Sequence, residues 1–283
     1  MTYGAIALVH KEADRFDAII AAPYFYGMTR DAIAAAPNRA VIIPCLHDEP
    51  AAYLEETGHL LRSACVRIFN SDVERALAAR IHGAKAAVGP VIGVGLEASP
   101  HVASEEAVRR VFRLEGDYLL YVGRAHPLKG VQELVQAVQA HNRSNPNQSV
   151  TLVFAGDGEY DPPQDSKIRK LGYVDESFKN GLLASALANI SFSRLESLSL
   201  VLLEAWALGT PSIVHTEAEV LDWQVSRSGC GLSIRTPDEL GKAIQGMRDA
   251  KNRARMAEAG LRFVKVEYSW DHVLDAFVAA LPS

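Results

Sequence analysis

Apolar residues fall in short runs of four to eight along almost the whole chain, and longer amphipathic stretches separate them. Residues 17–23 (DAIIAAP), 39–45 (RAVIIPC), 65–71 (CVRIFNS) and 86–95 (AAVGPVIGVG) read as strands. Residues 2–13, 28–36, 49–63 and 72–82 read as helices, the last opened by Asp72 as N-cap and stopped by Gly83. Residues 96–116 lose the pattern and read as a linker carrying a short helix. A second series follows, with strands at 117–123, 149–156, 188–193, 211–215 and 230–235. Its helices fill 128–141, 176–187, 197–208, 237–248 and 251–266.

Continuous apolar strands alternating with helices imply parallel sheets covered on both faces. The expected fold class is therefore α/β, with two Rossmann-like domains facing a cleft and the N-terminal one incomplete. The expected division is 1–112 with the linker, 113–266, and a closing helix over 267–283. With only about four strands at the front, the sheet would end at residues 17–23 and expose an edge. Another copy or a second polypeptide is expected to cover it.

Composition narrows the function. The net charge of −5 argues against an electrostatic nucleic-acid binder but leaves room for a local basic cleft. Three cysteines, Cys45, Cys65 and Cys230, lack C-x-x-C spacing, which suggests reduced thiols in a cytoplasmic protein and no zinc site. No apolar run approaches the roughly 20 residues that span a bilayer, so membrane contact is expected to be peripheral at most.

Ligands of doubly wound sheets sit beyond the carboxyl ends of the strands. There, after strand 117–123, stand Arg124 at the strand tip and Lys129 at the start of the next helix. Both can reach an anion held by free backbone N–H groups. As separate surface cations they would carry no function. Gly156 and Gly158 follow the next strand and permit close backbone approach.

The stretch LESLSLVLLEAWALGTPSIV (195–214) puts Glu204 inside an apolar helix, where an unpartnered charge is costly. Glu196 lies just before that helix. Eight residues at 100° leave about 80° between the two directions, so both carboxylates can face one side. Ser197 and Ser199 are candidate caps, and the helix start can hold an anion. A carboxylate accepts the two adjacent hydroxyls of a ribose, and a sugar offers hydroxyls to Glu196. The bland alternative is a structural ion pair between Glu204 and a basic neighbour.

These motifs resemble retaining glycosyltransferases of family 4, the glycosyl transferases group 1. YVGRAHPLKG (121–130) looks like their vGR…KG element and ESLSLVLLEA (196–205) like their E-x7-E element. GDG (156–158), LGYV (171–174) and LGTPSIV (208–214) fall in the same order. The resemblance covers roughly residues 17–283 and is strongest from 117 to 215.

The resemblance implies a GT-B fold, with the donor in the C-terminal domain and the acceptor mainly in the N-terminal one. It implies no cofactor and no catalytic metal, with a UDP- or GDP-sugar as donor substrate and a glycan or lipid-linked acceptor. Arg124 and Lys129 would neutralise the leaving diphosphate beside Gly123 and Gly156. Glu196 would hold the donor sugar, Glu204 the ribose, and Val174 would lie by the base. The backbone of Ser197, Leu198 and Ser199 would sit by sugar and phosphates. They stand where the common pattern has E-G-F-G, so side chains crowd the sugar. PCLHDEP (44–50) resembles the family's histidine-bearing strand end, with His47 touching the transferring sugar. Read alone, His47 is a capping or packed histidine.

Three functions remain from the sequence. The first is a metal-independent retaining hexosyltransferase active in polysaccharide or glycolipid synthesis. The second is a non-catalytic nucleotide-sugar-binding subunit. The third is a nucleotide-sugar epimerase.

Overall fold

The structure is a computed structural model that describes residues 3–97 and 101–282. It divides into two compact units, and the chain passes between them four times. The first unit holds the described residues up to Gly95, Leu195–Leu198, and those from Tyr268 onward. The second holds the remaining described residues, from Leu96 to Arg194 and from Ser199 to Glu267.

In the first unit, α1 (Tyr3–Glu12), β1 (Ile19–Ala21), α2 (Gly27–Ala35), β2 (Ala40–Ile42), α3 (Glu55–Ser63), β3 (Val66–Arg67) and α4 (Asp72–His82) follow in order. The strands form a parallel sheet in the order β1-β2-β3. Ile19 pairs with Ala40, and Val41 with Val66. All three residues of β2 are fully buried, as a central parallel strand requires. Around them pack Ile33, Leu46, Leu60, Leu61, Phe69 and Leu77.

The strand expected over 86–95 is reduced to one bridge, Phe69 with Val91. Residues 84–87 close a 3-10 turn, and Gly89 takes a positive φ against the backbone of Arg67. The N-cap of α4 is Ser71, not Asp72: its hydroxyl accepts the Glu74 amide at 3.1 Å.

The second unit opens with α5 (Glu105–Phe112). It continues through β4 (Tyr118–Val122), α6 (Val131–Ser144), β5 (Thr151–Ala155), β6 (Ile168–Lys170), α7 (Glu176–Ser185) and β7 (Ala188–Ser191). Then come α8 (Leu200–Ala207), β8 (Ser212–His215), α9 (Glu219–Ser228), β9 (Gly231–Ile234), α10 (Leu240–Arg248) and α11 (Ala250–Glu267). The last element, α12 (Trp270–Ala280), belongs to the first unit.

Six parallel strands run in the order β6-β5-β4-β7-β8-β9. The order therefore reverses between β4 and β7, which makes their carboxyl ends the switch point where a crevice opens. Leu119, Tyr121, Leu152, Phe154, Ile190 and Ile213 face one layer of helices with Leu134, Val138 and Ile244. On the opposite face the buried Tyr118 hydroxyl donates to the Leu182 carbonyl of α7 at 2.7 Å. Strand β6 was not read from the sequence, because Arg169 and Lys170 break its apolar character. It is an edge strand, where charge is tolerated.

The boundary between units falls at residue 95 rather than at 112. Residues 101–112 pack on α7: the Ala103 amide donates to the Ser177 carbonyl at 3.0 Å. Phe112 meets Phe178 edge-on at 5.5 Å between ring centres. The supposed linker helix is thus part of the second core, with Val108 fully buried. At the other end, Tyr268 lies against Gly93 and the Trp270 ring against Gly95, which makes Trp270 a packing residue. Ser269 caps α12, its hydroxyl accepting the His272 amide at 3.4 Å. Among the described residues no helix is long and apolar enough to cross a membrane.

Candidate functional site

A cavity of about 580 Å³ opens at the carboxyl ends of β4 and β5. Gly123, Arg124, Gly156, Asp157, Gly158, Tyr173, Val174 and Lys179 contribute to its walls. The strand ends are laced together by backbone: the Gly123 amide donates to Ala155 at 3.0 Å and the Gly156 amide to Gly172 at 2.8 Å. A Cβ on Gly156 would lie 2.3 Å from the Gly123 carbonyl oxygen, at a φ of +137°. Glycine is thus required here by close approach as well as by conformation. Lys170 of β6 braces the outgoing loop, its ammonium donating to the carbonyls of Gly158 and Tyr160 at 3.0 Å each.

Arg124 is exposed at the tip of β4. Lys129 is half-buried and closes the 3-10 turn Pro127–Lys129 before α6. Between them and α6, Gly130 takes φ +68° with its Cβ position 2.5 Å from the Phe192 carbonyl, so the loops after β4 and β7 touch there. Tyr173 is 81% exposed and offers an aromatic face beside Val174.

Glu204 is neither unpartnered nor deeply buried. Its carboxylate accepts from the Lys179 ammonium of α7 at 3.0 Å, with the two side chains 27% and 23% exposed. The bland ion pair therefore exists. It also stands at the cavity, because Lys179 is one of the lining residues.

The helix start differs from expectation. Helix α8 begins at Leu200, and Ser199 occupies its N-cap without a side-chain hydrogen bond. The Ser199 amide, expected to face sugar and phosphate, donates instead to Gln224 Oε1 at 2.8 Å. The Gln224 amide returns a bond to the Ser199 carbonyl at 3.2 Å. Gln224 is fully buried in α9, so it satisfies two backbone groups that water cannot reach. Gln224→Leu leaves both unpaired and is expected to cost about 2 kcal/mol. A urea titration beside wild type reads that loss, and an unchanged midpoint would refute the clamp.

Ser197 and Leu198 are buried and group with the first unit, as does the half-buried Glu196. The Ser197 hydroxyl accepts from Asn70 Nδ2 at 3.3 Å. His47 lies beyond β2, also in the first unit, with Nδ1 3.7 Å from the Glu49 carboxylate. Tyr24 donates to the same carboxylate at 2.8 Å, and burial with this bond raises the phenol's pKa. Thus Gly123, Arg124, Gly156 and Val174 share one cavity in the second unit, with Glu204 joined to it through Lys179. His47, Glu196, Ser197 and Leu198 belong to the other unit.

Sequence reasoning passed over Lys179, Gln224, Arg194 and Glu74. Arg194 bridges Glu133 at 2.9 Å and Glu217 at 2.6 Å, tying the loop after β7 to α6 and to the loop after β8. Glu74 is fully buried, and burial pushes its carboxyl up to about 8 against the pull of the Asn70, Leu46, Ser71 and Cys45 amides. A legible signal existed for it alone: S-D-V-E (71–74) is a capping box.

Residues 116–249 match the family model described as Glycosyl transferases group 1, nearly all within the second unit. Over that segment the resemblance to glycosyl transferases group 1 stands, and the fold is the GT-B fold. Among curated proteins the chain is similar to lipopolysaccharide core biosynthesis glycosyltransferase LpsE of Rhizobium meliloti (strain 1021). They are 29% identical over 177 residues, 58% of this chain and 49% of that one. It is also similar to the D-inositol 3-phosphate glycosyltransferase of Jonesia denitrificans, 25% identical over 87% of this chain and 63% of that one.

The chain thus spans about half the length of LpsE. Among solved structures, Anabaena Alr3699/HepE in complex with UDP superposes with a TM-score of 0.78 at 17% identity, covering 97% of this chain and 80% of that one. WaaG, described as a glycosyltransferase involved in lipopolysaccharide biosynthesis, gives 0.71 at 14% identity, with 98% and 81% covered.

Proposed function

We propose that this protein transfers a sugar from a nucleotide-sugar donor to a hydroxyl of a glycan or glycolipid, with retention and without a catalytic metal. The observation that carries the reading is the cavity at the ends of β4 and β5, with Arg124 on its wall and the Lys179–Glu204 pair at its edge. The nucleobase lies by Val174 and Tyr173, and the ribose hydroxyls reach Glu204. The diphosphate meets Arg124 and Lys129. As the bond from the sugar's anomeric carbon to the diphosphate breaks, negative charge grows on the leaving oxygens. Fixed cations stabilise that charge more than they stabilise the bound donor, which is what lowers a barrier. Glu196 holds the donor sugar and His47 touches it, while the acceptor hydroxyl attacks from the face the diphosphate leaves.

HepE is described in complex with UDP and with UDP-glucose, which supports a UDP-sugar before a GDP-sugar. The name of LpsE supports a surface polysaccharide or glycolipid acceptor, and with it a cytoplasmic site of action at or near the membrane's inner face.

A second reading, a nucleotide-sugar-binding subunit without transfer, is favoured by one observation. The Ser199 amide, expected to be free for phosphate, is engaged by Gln224.

Thermal shift against UDP-, GDP-, ADP- and dTDP-sugars tests the donor site, with Glu204→Ala alongside. One donor class is expected to raise the wild-type melting temperature in proportion to the logarithm of its concentration. The rise is expected to shrink in the variant by at least half. The part-buried pair still opens to water at the cavity and contributes on the order of 1 kcal/mol, so the variant's unliganded melting point stays near wild type. No rise with any donor would remove the site, and an undiminished rise in Glu204→Ala would remove Glu204 from it. Product analysis with the identified donor then separates transfer from binding alone.

A further inference from the structure

We infer that Glu74 is a positioning residue that holds, through one buried carboxyl group, both the turn carrying His47 and the segment carrying Glu196. The inference rests on the proposed transferase reading for its catalytic meaning, but its geometry stands within the first unit alone. Glu74 projects from the first turn of α4 and is fully buried. Its two oxygens are used separately: Oε1 accepts the Leu46 amide at 2.6 Å and Oε2 accepts the Asn70 amide at 2.6 Å. The first bond fixes the backbone directly before His47. It does so where Cys45 is forced to a φ of +52°, a conformation that a non-glycine residue keeps only when its surroundings impose it.

The second bond fixes Asn70, whose side-chain Nδ2 donates to the Ser197 hydroxyl at 3.3 Å and lies 3.5 Å from the Cys45 sulfur. Ser197 is the neighbour of Glu196. One carboxyl group thus holds the backbone just before His47 and the backbone of Asn70, whose side chain in turn holds the Ser197 hydroxyl next to Glu196. Buried hydrogen bonds of this kind are costly to lose, because the orphaned amides find no water.

Glu74→Gln isolates the claim. An amide nitrogen has no lone pair to offer, so the variant can accept only one of the two backbone amides and must break one arm. Hydrogen exchange on the full chain reads the arms separately. In Glu74→Gln, exchange is expected to rise about tenfold over wild type in whichever of the segments 45–47 and 195–198 loses its arm. In Asn70→Ala it is expected to rise about threefold in 195–198 while α6 and α11 stay as in wild type. An unchanged pattern in Glu74→Gln would overturn the inference, as would an Asn70→Ala variant that leaves 195–198 unchanged.

A kinetic arm measures the consequence. UDP and GDP affinities, which report the second unit, are expected to stay within about twofold, while turnover of the donor falls on the order of 10²-fold. Turnover within twofold of wild type would overturn the positioning role. If wild type turns over no donor, the transferase reading fails, and the exchange arm still decides whether Glu74 joins the two segments.

Discussion

Arg124→Ala is expected to lower sugar transfer by about 10²–10³-fold while shifting the melting temperature by less than about 2 °C. The two halves of the expectation have separate causes. Arg124 is exposed at the end of β4, and its backbone carbonyl accepts from the Tyr121 hydroxyl at 3.0 Å. Removing an exposed side chain costs the fold about 0.5 kcal/mol or less. The guanidinium, however, is the lining cation nearest in sequence to the switch point, where the proposed reaction puts the charge of the departing diphosphate. Loss of one fixed donor to such charge is worth several kcal/mol of barrier. Arg124→Lys keeps the charge but loses the planar fork, and so falls between the two. A rate within threefold of wild type for Arg124→Ala would place the leaving group elsewhere.

Gly156→Ala is expected to destabilise the protein by about 3 kcal/mol and to abolish donor-induced thermal shift. The added methyl meets the Gly123 carbonyl oxygen at 2.3 Å and its carbon at 2.9 Å, both of them backbone. Neither can move without parting β4 from β5, whose ends also shape the cavity. Gly116→Ala is the control. Gly116 has a positive φ of 65° but open space around its Cβ position, so its cost is conformational only, about 1 kcal/mol. Urea titrations of both variants separate crowding from backbone preference. Equal losses would mean that the crossing of the two loops tolerates a side chain.

The strands were legible where burial on both faces leaves no charged residue, as in YLLYV and TLVFA. They were illegible where the sheet ends. The edge strand β6 carries Arg169 and Lys170, and 86–95 keeps its apolar residues but yields a single bridge, because glycines and Pro90 turn the backbone. In the site, the residues found first were those on loops after strands, since topology alone puts them at the crevice. Glu204 was conspicuous as a charge in an apolar helix. Its partner was not, because Lys179 lies 25 residues away and nothing local links them. The same distance hides Gln224 from Ser199. Such pairings are set by which helices share a sheet face, and spacing along the chain carries no trace of that.

The four passages of the chain between the units bear on how the protein is made. A ribosome delivers the second unit complete once Glu267 has emerged. The first unit begins to emerge earlier yet still lacks the residues from Tyr268 onward, which seat Tyr268 on Gly93 and Trp270 on Gly95. The half synthesised first is therefore the half finished last. Until then its unfilled surface stays open in the nascent chain, and a message cut short near codon 267 would release a sound second unit joined to a first that cannot close.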